Sequence, residues 1–119
     1  MNKNTKKYKK ALEAVKQHGL KLKHKYVQDV ADEEICLAAV KQDGRLLYYV
    51  SPEFKTPEIC LAAVKQNGYA LQHVEPTKEL VEGMLKLDPY IGDKIMDHNP
   101  DWIKYFPEDI RDAYLLTRA

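Results

Sequence analysis

The 119 residues hold one serine, two cysteines and no apolar run near the roughly 20 residues that a helix needs to cross a bilayer. Ser51 merely precedes Pro52, and neither a G-x-S-x-G turn nor a Cys-His pairing is legible, so nucleophilic catalysis lacks its parts. The cysteines (Cys36, Cys60) and histidines (His18, His24, His73, His98) fall into no C-x-x-C or H-x-x-x-H spacing, which removes the usual metal sites. Phosphate-cradling glycine loops are missing. Asp97 and Asp101 would share a helix face only if a helix ran through Asn99-Pro100, which proline forbids. The expectation is a chain that is not an enzyme and takes no metal or other cofactor. The start, MNKNTKKYKK, is positive but has no apolar stretch behind it, so it does not read as a secretory signal. A cytoplasmic protein, or one delivered to a host cytosol as an effector, is the expected setting.

Apolar residues at 45% and charged residues at 31% give the balance of an ordinary globular domain, and the length fits one domain. Charge is unevenly placed. Up to Val30 there are nine lysines against Glu13 and Asp29, a net +7; Ala31 to Ala119 carry ten basic and sixteen acidic residues, a net −6, which closes on the overall +1. A basic head on an acidic body speaks to partners and solubility, not to fold.

What the chain has is repetition. ICLAAVKQDG (35–44) returns as ICLAAVKQNG (59–68), and VKQHG ending at Gly19 is an earlier copy. Counted from Gly19, Gly44 and Gly68, Val15, Val40 and Val64 stand four back, Leu12, Leu37 and Leu61 seven back, and Leu22, Leu47 and Leu71 three ahead. Thr56 suits a helix N-cap, Pro57 the first helical position and Glu58 the positive end of the helix dipole. ICLAAV is apolar on nearly every side, as in a helix packed between neighbours, and Gly68 is expected in the left-handed conformation that ends it. A shorter helix follows until Pro76, as RLLYYV runs until Pro52. Further on, ELVEGMLKLDP and IGDKIMDHNPDWIKYFP continue in degenerate form, with Asn99-Pro100 where Asn67-Gly68 stood, and PEDIRDAYLLTRA closes the chain as a helix. No useful β-alternation appears. Such units bury their apolar faces only by stacking. The predicted fold is all-α: a short right-handed-type helical-repeat solenoid of three to four helix–turn–short-helix units with a capping C-terminal helix. It forms one domain over 1–119, with repeats at about 5–30, 31–54 and 55–78 and degenerate repeats plus cap at 79–119.

The phrase T-P-E-I-C-L-A-A-V-K-Q-N-G-x-A-L-x-x-V-x-P resembles the domain-of-unknown-function repeat family numbered 4116 (DUF4116), from about Asp32 to Pro76. That family occurs in multi-repeat bacterial, viral and protist proteins, candidate effectors among them. The resemblance implies helical repeats and brings no catalytic residues.

Cys36 and Cys60 hold equivalent places. Copies stacked about a helix diameter apart, roughly 10 Å, exceed the 7 Å or so that a disulfide tolerates, so both are expected as free core thiols. Two columns could recognise a partner. Lys16, Lys41 and Lys65 would form a ladder able to hold phosphate or an acidic strip; the plainer reading is that each lysine compensates a helix C-terminus, beside a solvated Gln17, Gln42 or Gln66. Five and four residues after each corner stand His24, Tyr49, His73 and Tyr105, and Lys23, Tyr48, Gln72 and Lys104. Aromatic and polar residues in register suit an interface, with Tyr48, Tyr49, His73, Tyr105, His24 and Lys104 as the candidate contacts, while partly buried rims over the core are the plainer reading. The head, with Lys6, Lys7, Lys9, Lys10, Tyr8 and Tyr26, has a composition that grips phosphate backbones.

Three readings of function follow: a module binding another protein, in the manner of a small regulator or inhibitor from a mobile element or pathogen; a nucleic-acid-associated factor using the basic N-terminus; and a self-associating structural protein. No membrane partner is expected, and the oligomeric state is open.

Overall fold

The computed structural model describes residues 5–118. They form seven α-helices: α1 Lys6–Gln17, α2 Lys25–Gln28, α3 Glu33–Gln42, α4 Pro57–Gln66, α5 Lys78–Leu87, α6 Ile91–His98 and α7 Glu108–Arg118. Short 3₁₀ segments follow α1, α3, α4 and α6, at Gly19–Lys23, Gly44–Tyr49, Gly68–His73 and Pro100–Tyr105, with one more at Pro52–Phe54. Among the described residues there is no strand, and no helix is long and apolar enough to cross a membrane.

The helices begin where the side chains can satisfy them. Thr5, Asp32, Thr56 and Thr77 each accept a hydrogen bond from the backbone N–H three residues on, at 3.2, 3.0, 3.3 and 3.1 Å. Acids occupy the first turns of α3, α4, α5, α6 and α7, where the helix dipole favours them. Asp32 also reaches across to α1: both its oxygens accept from the buried Tyr8 hydroxyl, at 3.0 and 2.9 Å. Burial first, then the hydrogen bond to Asp32, push the Tyr8 phenol above its ordinary range, so it stays neutral.

The corners differ from the sequence expectation. No glycine among the described residues has a positive φ, so Gly68 is not a left-handed helix end. The residue before the glycine does the turning. His18, Asp43 and Asn67 are extended, at φ −153°, −152° and −154°, and each sends its N–H to the carbonyl four back, on Ala14, Ala39 or Ala63. Asp43 and Asn67 then cap the next segment, accepting at 3.0 Å from the N–H of Arg45 and of Tyr69. One short polar residue thus ends the α-helix and starts the 3₁₀ turn.

Glycine is needed for room. A Cβ on Gly19 would lie 2.9 Å from Leu46 Cδ1 and 3.1 Å from Gln42 Oε1; one on Gly44 would strike the Ala63 carbonyl; one on Gly68 would strike the His98 ring. Each corner is pressed by the copy that follows it. The glutamines make the joint. Gln42 Oε1 accepts the Gly19 N–H at 2.7 Å, while its Nε2 donates to the Val15 carbonyl at 2.6 Å and the Lys16 carbonyl at 3.2 Å. Gln66 Oε1 accepts the Gly44 N–H at 2.5 Å. Gln42 and Gln66 are exposed helix residues, as expected, and they also satisfy buried backbone groups of the preceding copy. Gln17 instead bonds Glu13 of its own helix at 3.1 Å.

Packing follows the same order. α3 lies against α1 and α4, α4 against α5, and the Gly44–Tyr49 segment against both Gly19–Lys23 and Gly68–His73. Val15, Val40, Val64, Ala39, Ala63, Leu22 and Leu47 are fully buried, the valines and leucines contributing about 1.5–3 kcal/mol each. Cys36 and Cys60 are buried and free, as the spacing argument predicts. The molecule measures 54 × 22 × 18 Å.

Gly44 and Gly68 separate backbone crowding from side-chain crowding. Gly44→Ala drives a methyl onto the Ala63 carbonyl of a core helix and is expected to cost about 3 kcal/mol, whereas Gly68→Ala meets an exposed histidine that can swing aside and should cost about 1 kcal/mol. Urea denaturation of the two variants measures the difference; equal costs would show that the joint yields at Ala63 as readily as at His98.

Candidate functional site

In the 3₁₀ segments the buried pairs Leu46–Leu47 and Ala70–Leu71 face the core, while Tyr48, just after the first pair, and Tyr69, just before the second, turn outward. Tyr48 is 65% exposed and stands edge-on to the half-buried Tyr49, with ring centroids 5.0 Å apart. His73 of the next copy meets Tyr48 edge-on at 5.3 Å. These three predicted residues form one cluster. It is held from behind: Gln28 Nε2 donates to the Tyr49 carbonyl at 3.0 Å, and Lys55 Nζ donates to the His73 carbonyl at 2.6 Å. Tyr48 and Tyr49 also wall an open cleft of about 600 Å³ with His18, Leu20, Arg45 and Leu46. Within it Arg45 grips Asp43 by Nε–Oδ1 at 3.1 Å and Nη2–Oδ2 at 3.0 Å, and these side-chain bonds hold the Asp43 carboxyl below its ordinary value.

The other predicted contacts lie elsewhere. His24 is exposed beside Tyr26, centroids 6.1 Å apart. Tyr105 is half-buried against Trp102 at 6.4 Å, with Lys104 Nζ 5.4 Å above its ring. Lys16, Lys41 and Lys65 are all exposed; Lys65 Nζ lies 3.5 Å from Asp88 Oδ2, and the Lys65 carbonyl accepts from Lys94 Nζ at 2.7 Å. Lys6, Lys7, Lys9 and Lys10 line the exposed side of α1.

Sequence reasoning missed Tyr69. It is 67% exposed and meets His98 edge-on at 4.8 Å. The signal was present: aligning Ile95 and Met96 with Ala63 and Val64 puts His98 in the column of Gln66, directly over the Gly68 corner. Tyr90 (83% exposed) and Leu116 (83% exposed) were also not singled out.

Burial pushes the Cys36 thiol up to about 12 and the Cys60 thiol up to about 11, so neither is a thiolate at neutral pH. No group of three or more His, Cys, Asp or Glu among the described residues could hold a metal ion.

His73 gives the cluster a pH dependence. Burial first, and Lys55 second, lower its imidazole below the ordinary 6.5. Unfolded His73 therefore takes up its proton before folded His73 does, and the linked stability is lost as pH falls through 6.5. An NMR titration is expected to find the His73 midpoint below 6.5, moving up toward it in Lys55→Met; a midpoint at or above 6.5 would contradict the packing described for this ring.

A family model described as Domain of unknown function (DUF4116) matches residues 32–80. No curated protein matches the chain, and no solved structure does. The match begins at Asp32, the cap of α3, and runs through α4 and the Gly68–His73 segment into α5. Tyr48, Tyr49, Tyr69 and His73 all lie within the matched residues.

Proposed function

We propose that the chain is a single-domain, right-handed helical-repeat solenoid that binds another protein through the exposed faces of its 3₁₀ segments, acting as a regulator or inhibitor rather than an enzyme. One observation carries this reading. Tyr48 and Tyr69 are each about two-thirds exposed, and each is braced edge-on by a histidine of the following copy, His73 or His98. A braced tyrosine offers large contact area while losing little rotamer freedom on binding, which is why tyrosine anchors interfaces. Supporting the solenoid is the recurrence of one joint, a corner glycine pressed by the Gln42, Gln66 or His98 of the next copy. Two free thiols fit a reducing compartment such as the cytoplasm.

Crosslinking capture from cell lysate, read by mass spectrometry, tests the surface. Tyr48→Ala and Tyr69→Ala should each weaken capture of the same partner about 30-fold, the size of an interface hot spot, with helix content unchanged. A double variant that still captures the wild-type set would overturn this reading.

A further inference from the structure

A different surface, on α1 and the segments that follow it, shows features that the tyrosine face does not explain. Lys6, Lys7, Lys9, Lys10, Lys16, Lys21, Lys23 and Lys25 are all exposed, and of these Lys25 alone is ion-paired among the described residues, to Asp29 at 3.1 Å. α1, like the four-residue α2, lacks an acid in its first turn, and it places Lys6, Lys7, Lys9 and Lys10 in its positive half. Cations there oppose the helix dipole, whereas α3 to α7 each begin with acids. Helix stability therefore gives no reason for these lysines, and a local rule broken without a structural return is the mark of a functional surface.

The lysines frame exposed rings. Lys7, Lys10, Tyr26, Asp29 and Val30 line a hollow of about 430 Å³, with Lys10 Nζ 5.6 Å from the centre of the Tyr26 ring. Tyr26 is 42% exposed and lies beside exposed His24, the two planes 31° apart. From this juxtaposition we infer that the first copy binds single-stranded nucleic acid, its phosphates along Lys6, Lys7, Lys9 and Lys10 and a base stacked at Tyr26. A duplex keeps its bases paired and out of reach of such a ring, while a single strand offers both a π-face and a phosphate. A single strand uses the lysines and the ring together, with a phosphate and a base from each nucleotide. Asp29, the carboxylate on the hollow, is held by Lys25 and offers an acceptor to base amino groups.

Fluorescence anisotropy of the full chain with a labelled oligothymidylate of about 20 nucleotides tests the inference. Four neutralised phosphates predict a Kd that rises about 50-fold between 50 and 200 mM salt. Lys7→Gln with Lys10→Gln should lower the logarithmic salt slope by about 1.4 while the thermal midpoint stays level or rises, because cations leave the positive helix end. Tyr26→Ala should weaken binding about tenfold and Tyr26→Phe should retain it. No binding at 50 mM salt, or a salt slope unchanged in the double variant, would overturn the site. Phosphatidylserine vesicles bound while the oligonucleotide is not would give the patch to a membrane surface instead. Salt-sensitive dimers without oligonucleotide binding would give it to the acidic body of a second copy, and either result refutes the assignment.

Discussion

The contact between a glutamine amide and the glycine corner of the preceding copy organises this molecule. Gly19 and Gly44 are buried, and their N–H groups point at the neighbouring copy. Left unmade, each such bond costs about 1–3 kcal/mol, and a Cβ at either corner would hold the neighbour away. Gln42 supplies the acceptor for Gly19 and returns two donor contacts to the end of α1, so one side chain closes the α-helix terminus and the turn together. The joint sets the spacing between copies, and with it the distance from Tyr48 to His73. At the third corner His98 lies over Gly68 and forms an aromatic pair with Tyr69.

Much of the fold was legible because its causes are local. Thr56 with Pro57 and Glu58 marks a helix start through groups within one turn of each other, and the buried Val15, Val40 and Val64 column repeats with the corners. The corner glycines were legible as corners but not for the right reason. A glycine after an amphipathic helix usually means a left-handed residue, and here the constraint comes from a residue some two dozen positions downstream. Gln42 and Gln66 are the solvent-facing helix formers that their own helices predict, and their second role is not legible locally for the same cause: their partners lie in the previous copy. At the candidate site, counting from each corner found Tyr48, Tyr49 and His73, which the structure brings together. It could not find Tyr69 with His98, a pair visible only once the last copy is aligned on Gln66. The same count put His24 and Tyr105 in one column with them, and the structure places these beside Tyr26 and Trp102 instead.

The two ends of the molecule are under different electrostatic rules. From α3 onward, acids begin the helices and local stability accounts for the charge pattern. α1 breaks that pattern and is tied down by other means: the Thr5 cap, the neutral Tyr8 hydroxyl on Asp32, and the Gln42 clamp at its far end. Those three contacts let the first copy carry an unfavourable row of lysines without losing its place against α3. Two of those contacts come from α3 and its cap, so α1 is held by its neighbour as well as by its own cap.

The clamp can be read directly by native-state hydrogen exchange at the Gly19 and Gly44 amides. If the glutamines hold the corners, Gln42→Ala removes protection at Gly19 and leaves Gly44 protected, while Gln66→Ala does the reverse. Unchanged protection at both amides, or loss at both from either substitution, would contradict a joint made copy by copy.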